Sequence, residues 1–113
     1  MLPRVHRISK RADFQVIQRR GASVFSANCR LRFLPNKANF SRFAVVVSTR
    51  VSKKAVIRNR LRRQAREIIR GHFAQIQPGY DIVLQIQPGI GAIEFSAFEQ
   101  QLLGLLKRGR LLL

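Results

Sequence analysis

One segment limits the possible folds more than any other: KKAVIRNRLRRQAREIIR, residues 53–70, in which an apolar residue returns every three or four positions through a field of arginine. At 100° per residue, Ile57, Leu61, Ala65, Ile68, Ile69 and His72 fall in one arc. Arg58, Arg62, Arg66 and Arg70 form an i, i+4 ladder beside it, widened by Arg60 and Arg63. The spacing predicts a long amphipathic helix over residues 53–73 that packs on one side. The segment carries eight Lys/Arg against the single acid Glu67. Like charges at i, i+4 repel by a few tenths of a kcal/mol per pair, so the ladder is a poor helix stabiliser. Solvated faces ordinarily mix signs. Stacked arginines point instead to a polyanion.

The whole chain repeats that bias. Its 113 residues hold 22 Lys+Arg, 17 of them arginine, against 5 Asp+Glu, a formal charge of +17. Self-repulsion on this scale destabilises an isolated compact state and calls for a partner of opposite sign. Arginine favours phosphate, because its planar fork donates two hydrogen bonds at once and its face stacks on bases. At 46% hydrophobic the chain can still bury a core, and its length predicts a single domain over 1–113. A lone cysteine, Cys29, excludes an internal disulfide and every zinc-finger pattern. The opening MLPRVHRISKRADF has no apolar run behind its basic residues, so neither a secretory leader nor a membrane span is expected. The expected setting is soluble and cytoplasmic.

Ser9 is placed to cap a first helix running to about Arg20, with Asp13 in its first turn, Phe14 and Ile17 on one side and Gly21 as its stop. Residues 25–33 alternate without a break, Phe25, Ala27, Cys29, Leu31 and Phe33 against Ser26, Asn28, Arg30 and Arg32, which predicts one strand with a core face and a basic face. After a turn over 35–39, the run FAVVVS at 43–48 reads as a central strand. IQPG occurs at 76–79 and again at 86–89, two turns bracketing a third strand over 80–87. A last helix over 94–108 places Phe95, Phe98, Leu102, Leu105 and Leu106 on one side. The order is helix, strand, strand, helix, strand, helix, an α/β (α+β) sandwich of a small sheet and helices.

No catalytic constellation accompanies this frame. Of Asp13, Glu67, Asp81, Glu94 and Glu99, only the last two lie close in sequence, and their spacing does not bring them together on a helix. His6 and His72 are isolated, Cys29 alternates into the core, and no phosphate-cradling GxxxxGK[ST] loop is present. The polypeptide does not read as a catalyst by itself, and no metal ligand set is expected on it. A DNA-binding module is disfavoured too, because Asn59 and Gln64 are the only base-reading candidates on the basic helix and no dimerising heptads occur.

The stretch VVVSTRVSKKAVIRNRLRRQARE resembles the signature of the bacterial ribonuclease P protein family, a strand ending in a V-S-K-K type segment followed by a helix opening A-V-x-R-N-R-x-[KR]-R-x-x-R-E. Arg58, Asn59 and Arg60 match its RNR element, and Ala55, Val56, Arg62, Arg63, Arg66 and Glu67 match flanking positions. RISKRADFQVIQRRG resembles the family's opening helix, and PGYDIVL its third-strand entry. The resemblance implies a two-layer sandwich with a mixed sheet, similar to ribosomal protein S5 domain 2, and a left-handed βαβ crossover against the usual right-handed preference. It also implies an accessory subunit of an RNA-based endonuclease. In that enzyme the RNA subunit, with Mg2+ held mainly by RNA and substrate, removes the 5′ leader of precursor tRNA. The protein raises substrate and metal-ion affinity.

Carried onto this sequence, the resemblance implies that Arg58, Asn59, Arg60, Arg63 and Arg66 meet the RNA subunit, with Lys53 and Lys54 as basic support and Arg62 and Arg70 on the same helix. A cleft between the first helix and the sheet would hold the single-stranded leader, with Phe14, Gln18, Arg30 and Arg32 as its residues. Gln18 and Arg32 stand where the family often has aromatics, Thr49 and Arg50 where it often has lysines, and Ser52 where a glycine is common. The expected cleft is therefore more cationic and less aromatic. A ribosomal or general RNA-binding protein without processing activity is the alternative reading of the same features.

Overall fold

The computed structural model describes residues 6–113. The expectation that the first residues form no apolar leader falls partly on residues 1–5, outside that range. Seven α-helices and strands follow one another, with a 3-10 turn at Phe73–Gln75 after the second helix: α1 Arg11–Arg20, β1 Ala22–Phe25, β2 Cys29–Pro35, β3 Arg42–Val46, α2 Ala55–His72, β4 Tyr80–Ile86 and α3 Phe95–Arg108. The expected order stands, with the first strand preceded by a short partner that makes a hairpin. The strands form one mixed sheet in the order β1-β2-β4-β3, antiparallel except for β3 against β4. α2 makes the crossover between those two parallel strands.

The hairpin corrects the unbroken strand expected over 25–33. Ser26, Ala27 and Asn28 form a turn closed by the Ser26 amide on the Cys29 carbonyl at 2.9 Å. The turn resets the alternation: Phe25 lies opposite Arg30 and shares its face, while Cys29 and Leu31 point into the opposite core. Period alone cannot show such a break. Ser and Asn carry turn chemistry, and Gln101 of α3 holds this tip, its Oε1 accepting from the Ser26 hydroxyl and from the Asn28 amide.

β3, expected to be central, lies at the sheet edge, and β4 takes the central place. Its apolar run has another cause: both of its faces are covered. Phe43 and Val45 join the large core beneath α2 and α3, and Ala44 and Val46 pack towards Ile17 of α1. The Ile8 amide also donates to the Phe43 carbonyl at 2.8 Å, which protects part of the free edge. The large core draws Leu31, Ile82 and Leu84 from the sheet, Leu61, Ile68 and Ile69 from α2, and Phe98, Leu102 and Leu105 from α3. A smaller core of Ile8, Ile17 and Val83 lies beneath α1 on the other face.

Two helix ends differ from expectation. Ser9 is exposed and does not cap α1, whose N-cap is Lys10 with no side-chain cap bond. Gly21 ends the helix in an extended conformation, φ −74° and ψ 149°, rather than a left-handed one. A side chain there would bring Cβ within 2.6 Å of the Ile17 carbonyl oxygen and 3.1 Å of that of Phe33. Close approach of helix and sheet, not backbone freedom, requires this glycine. At α3, Phe95, the first residue of the helix, is exposed instead of joining Phe98 in the core.

Candidate nucleic-acid interface

α2 begins at Ala55 with no acidic residue in its first turn, so Lys53 and Lys54 add to the positive end of the helix dipole. Ser52, in the place of the family's frequent glycine, accepts the Lys54 amide on Oγ at 3.2 Å and so serves a capping function. Beyond this start the arginine ladder divides by what each side chain touches. Arg58 Nη1 donates to the Ser52 carbonyl at 2.9 Å, and Arg62 reaches the Val47 carbonyl at 3.1 Å and Asn59 Oδ1 at 2.7 Å. These two bind the helix to the segment that leads into it. Arg70 pairs with Glu67 one turn away. Lys53, Lys54, Asn59, Arg60 and Arg63 are exposed and form the outward cationic face, with Val56 standing 73% exposed among them.

Arg66 departs from this group. It lines a cleft of about 250 Å³ together with Arg7, Ile8, Phe14, Phe43 and Ala44, beside the edge strand β3. Phe14 also borders an adjoining hollow formed along α1 with Gln18 and Arg19. Arg32 Nη1 donates to the Gln18 carbonyl at 3.1 Å, which fixes the C-terminal half of α1 to β2. Arg30 lies two residues further along the same face, its guanidinium carbon 4.6 Å from the centroid of the Phe25 ring. Of the four residues expected in the cleft, Phe14 and Gln18 border these hollows, Arg32 touches the Gln18 carbonyl, and Arg30 lies further along β2 on the same face, outside both. Sequence reasoning missed Arg7 and Phe25 there, and put Arg66 with the outer helix face alone. Only the length of α2, which carries its later turns past β3, could have signalled the position of Arg66.

The remaining ionisable groups have structural duties. Arg42 chelates Asp81 through Nε at 2.9 Å and Nη2 at 2.6 Å and meets Asp13 at 3.4 Å. The hydrogen bond to Asp81 is the main cause of a raised Arg42 pKa. His72 bridges Gln75 and Glu99 at 3.1 and 3.0 Å, contacts that raise its pKa in that order. Burial pushes the Cys29 thiol up to about 11 and leaves it inert at neutral pH. Among the described residues no three His, Cys, Asp or Glu side chains gather as a metal site would require, and no helix is long and apolar enough to cross a membrane.

A basic helix face beside a cationic, partly aromatic cleft suits RNA, and the family model described as Ribonuclease P matches residues 2–110. The chain belongs to the ribonuclease P protein family. The ribonuclease P protein component of Synechocystis sp. is 42% identical, over 80% of this chain and 74% of that protein. That of Synechococcus elongatus is 37% identical, over 98% of this chain and 95% of its own length. The fold agrees with them. Staphylococcus aureus RNase P protein superposes with a TM-score of 0.89 at 28% identity, covering 96% of this chain and 98% of that one. The RNase P protein of Thermotoga maritima gives 0.83 at 33% identity, with coverages of 90% and 96%. Membership makes the chain a protein subunit of ribonuclease P, the tRNA-processing ribonucleoprotein, and an accessory to its endoribonuclease activity. The general RNA-binding alternative is not favoured.

Proposed function

We propose that α2 docks on the ribonuclease P RNA through Lys53, Lys54, Asn59, Arg60 and Arg63, while the surface between α1 and the sheet receives the single-stranded 5′ leader of precursor tRNA. The observation that carries this reading is the division of α2. One side packs Leu61, Ala65, Ile68 and Ile69, and the other offers cations that, among the described residues, no carboxylate pairs with except at Arg70. Arg58 and Arg62 set the pitch of that face by their bonds to Ser52 and Val47. Arg66, shared between helix and cleft, brings the two surfaces together.

The polypeptide contributes binding, and the RNA the chemistry. Metal-assisted hydrolysis of a phosphodiester by a protein asks for converging carboxylates to hold the ions. The two carboxylates that do converge, Asp13 and Asp81, are held by Arg42 and do not fit a magnesium site. Mg2+ accordingly belongs to RNA phosphates. The cationic protein favours its uptake indirectly, by drawing the leader and the RNA subunit together so that fewer ions are needed to screen them. The working location is the cytoplasm, with the precursor tRNA. Reconstitution with a bacterial ribonuclease P RNA at low magnesium tests the reading: leader removal is expected to be stimulated, and an unchanged rate would refute it.

A further inference from the structure

Four large hydrophobic side chains stand exposed among the described residues: Phe25, Val56, Phe95 and Leu113. Single surface hydrophobics are ordinary, but Phe25 is set apart by its surroundings. Cross-strand register places Phe25, Arg30, Gln85 and Val46 in one row across all four strands, on the face that α1 shares. The neighbouring row is closed by α1, with Val83 buried against Ile17 and Arg32 bonded to the Gln18 carbonyl. The β1 end of the Phe25 row lies beyond the helix, with Phe25 53% exposed, whereas its Val46 end packs with the small core under α1. The two aromatic positions are far apart: Phe14 of α1 lies beside β3, whereas Phe25 lies on β1, three strand spacings or about 14 Å across the sheet.

We propose that Phe25 and Arg30 form a stacking subsite for one unpaired nucleobase of the leader, at the β1 end of the cleft. Arg30 backs one side of the ring, and more than half of the Phe25 surface remains open to a base. The Arg30 Nε is buried with no hydrogen-bond partner, so no bond of that atom within the chain holds the guanidinium against the small shift by which it would turn a donor towards a phosphate or base edge. The ring is also held in place. The Phe25 carbonyl accepts from Arg108, and the adjoining turn is fastened to Gln101, so α3 fixes the tip from which the aromatic projects. This subsite supplies the aromatic surface that Gln18 and Arg32 do not. It rests on the proposed leader cleft, and it adds a residue that the RNR helix and the family pattern do not indicate.

The test uses the reconstituted holoenzyme and precursor tRNAs whose leaders are lengthened one nucleotide at a time, with mature tRNA as reference. Phe25→Leu keeps an apolar side chain and removes the π face. Beyond the length at which a base reaches β1, it is expected to weaken precursor binding about tenfold, as loss of one base–aromatic stack would. Mature tRNA should bind as before, and Phe25→Trp should match the wild type. A single abasic leader position should reproduce the loss, with Phe25→Leu adding nothing further. Wild-type affinity of Phe25→Leu for every leader, or an equal loss on mature tRNA, overturns the subsite alone. A wild-type enzyme indifferent to the leader overturns the cleft reading and the subsite with it.

Discussion

Arg42 joins three elements through one guanidinium: its own strand β3, Asp81 of β4 and Asp13 of α1. Asn36 completes the cluster, donating to Asp81 Oδ1 at 2.8 Å. Asp81 is only 7% exposed, so removing its cation leaves a charge stranded in a place that water reaches poorly. The Asp13 arm is longer and wetter and contributes little. We predict that Arg42→Met lowers the unfolding free energy by about 2 to 3 kcal/mol, most of it from Asp81. Asp81→Asn in the Arg42→Met background should recover part of that loss, because the uncompensated charge is then gone. Urea denaturation of the two variants decides the matter, and a cost below about 0.5 kcal/mol for Arg42→Met would exclude the cluster as a fastening. None of this was visible in the sequence, where the carboxylates are scattered. Distance along the chain carries no information about which of them one arginine can gather.

Helices α2 and α3 meet in apolar contact, and one polar fastening closes them: His72 in the last turn of α2, between Gln75 and Glu99. Both ring nitrogens face oxygen atoms, an arrangement satisfied best by the imidazolium. The His72 pKa is raised by Gln75 first and Glu99 second. Since the folded value lies above the unfolded one, near 6.5, this contribution is complete below about pH 6.5 and is lost as pH climbs through the raised pKa. The unfolding midpoint should therefore fall across that window, and His72→Gln should flatten the fall; a profile with the same slope in both proteins would remove His72 as its source. Legibility followed the same division between local and distant causes. α2 could be read almost to its ends because eighteen residues keep one period and their packing partners need not be known. The β1–β2 hairpin could not, because Gln101 and Arg108 of a helix far along the chain hold it, and the alternation of 25–33 fits an unbroken strand equally well. The edge position of β3 was hidden for a related reason: an apolar run reports that two faces are covered, not which strand stands beside it.

At the scale of the molecule, a charge of +17 on 113 residues must be met by counter-charge, and the structure separates the cations available for it from those already engaged. The sequence showed the arginine ladder of α2 as one face. The fold divides it, because Arg62 is bonded to the Val47 carbonyl and Asn59 while Arg63 and Arg60 are exposed. Each phosphate contact given up should reduce the steepness of log K against log salt by about 0.7 to 0.9. Arg60→Ala and Arg63→Ala are each expected to flatten the salt dependence of binding to the ribonuclease P RNA by about that amount while leaving protein stability nearly unchanged. Arg62→Ala should do the opposite, lowering the unfolding midpoint by loss of the tie to the segment that follows β3 and altering the salt slope least. Titrations at several salt concentrations, paired with denaturation of the same variants, separate the two roles. Equal slopes for Arg62→Ala and Arg63→Ala would mean that the hydrogen bonds of Arg62 yield to RNA, and that the ladder binds as the undivided face its sequence suggests.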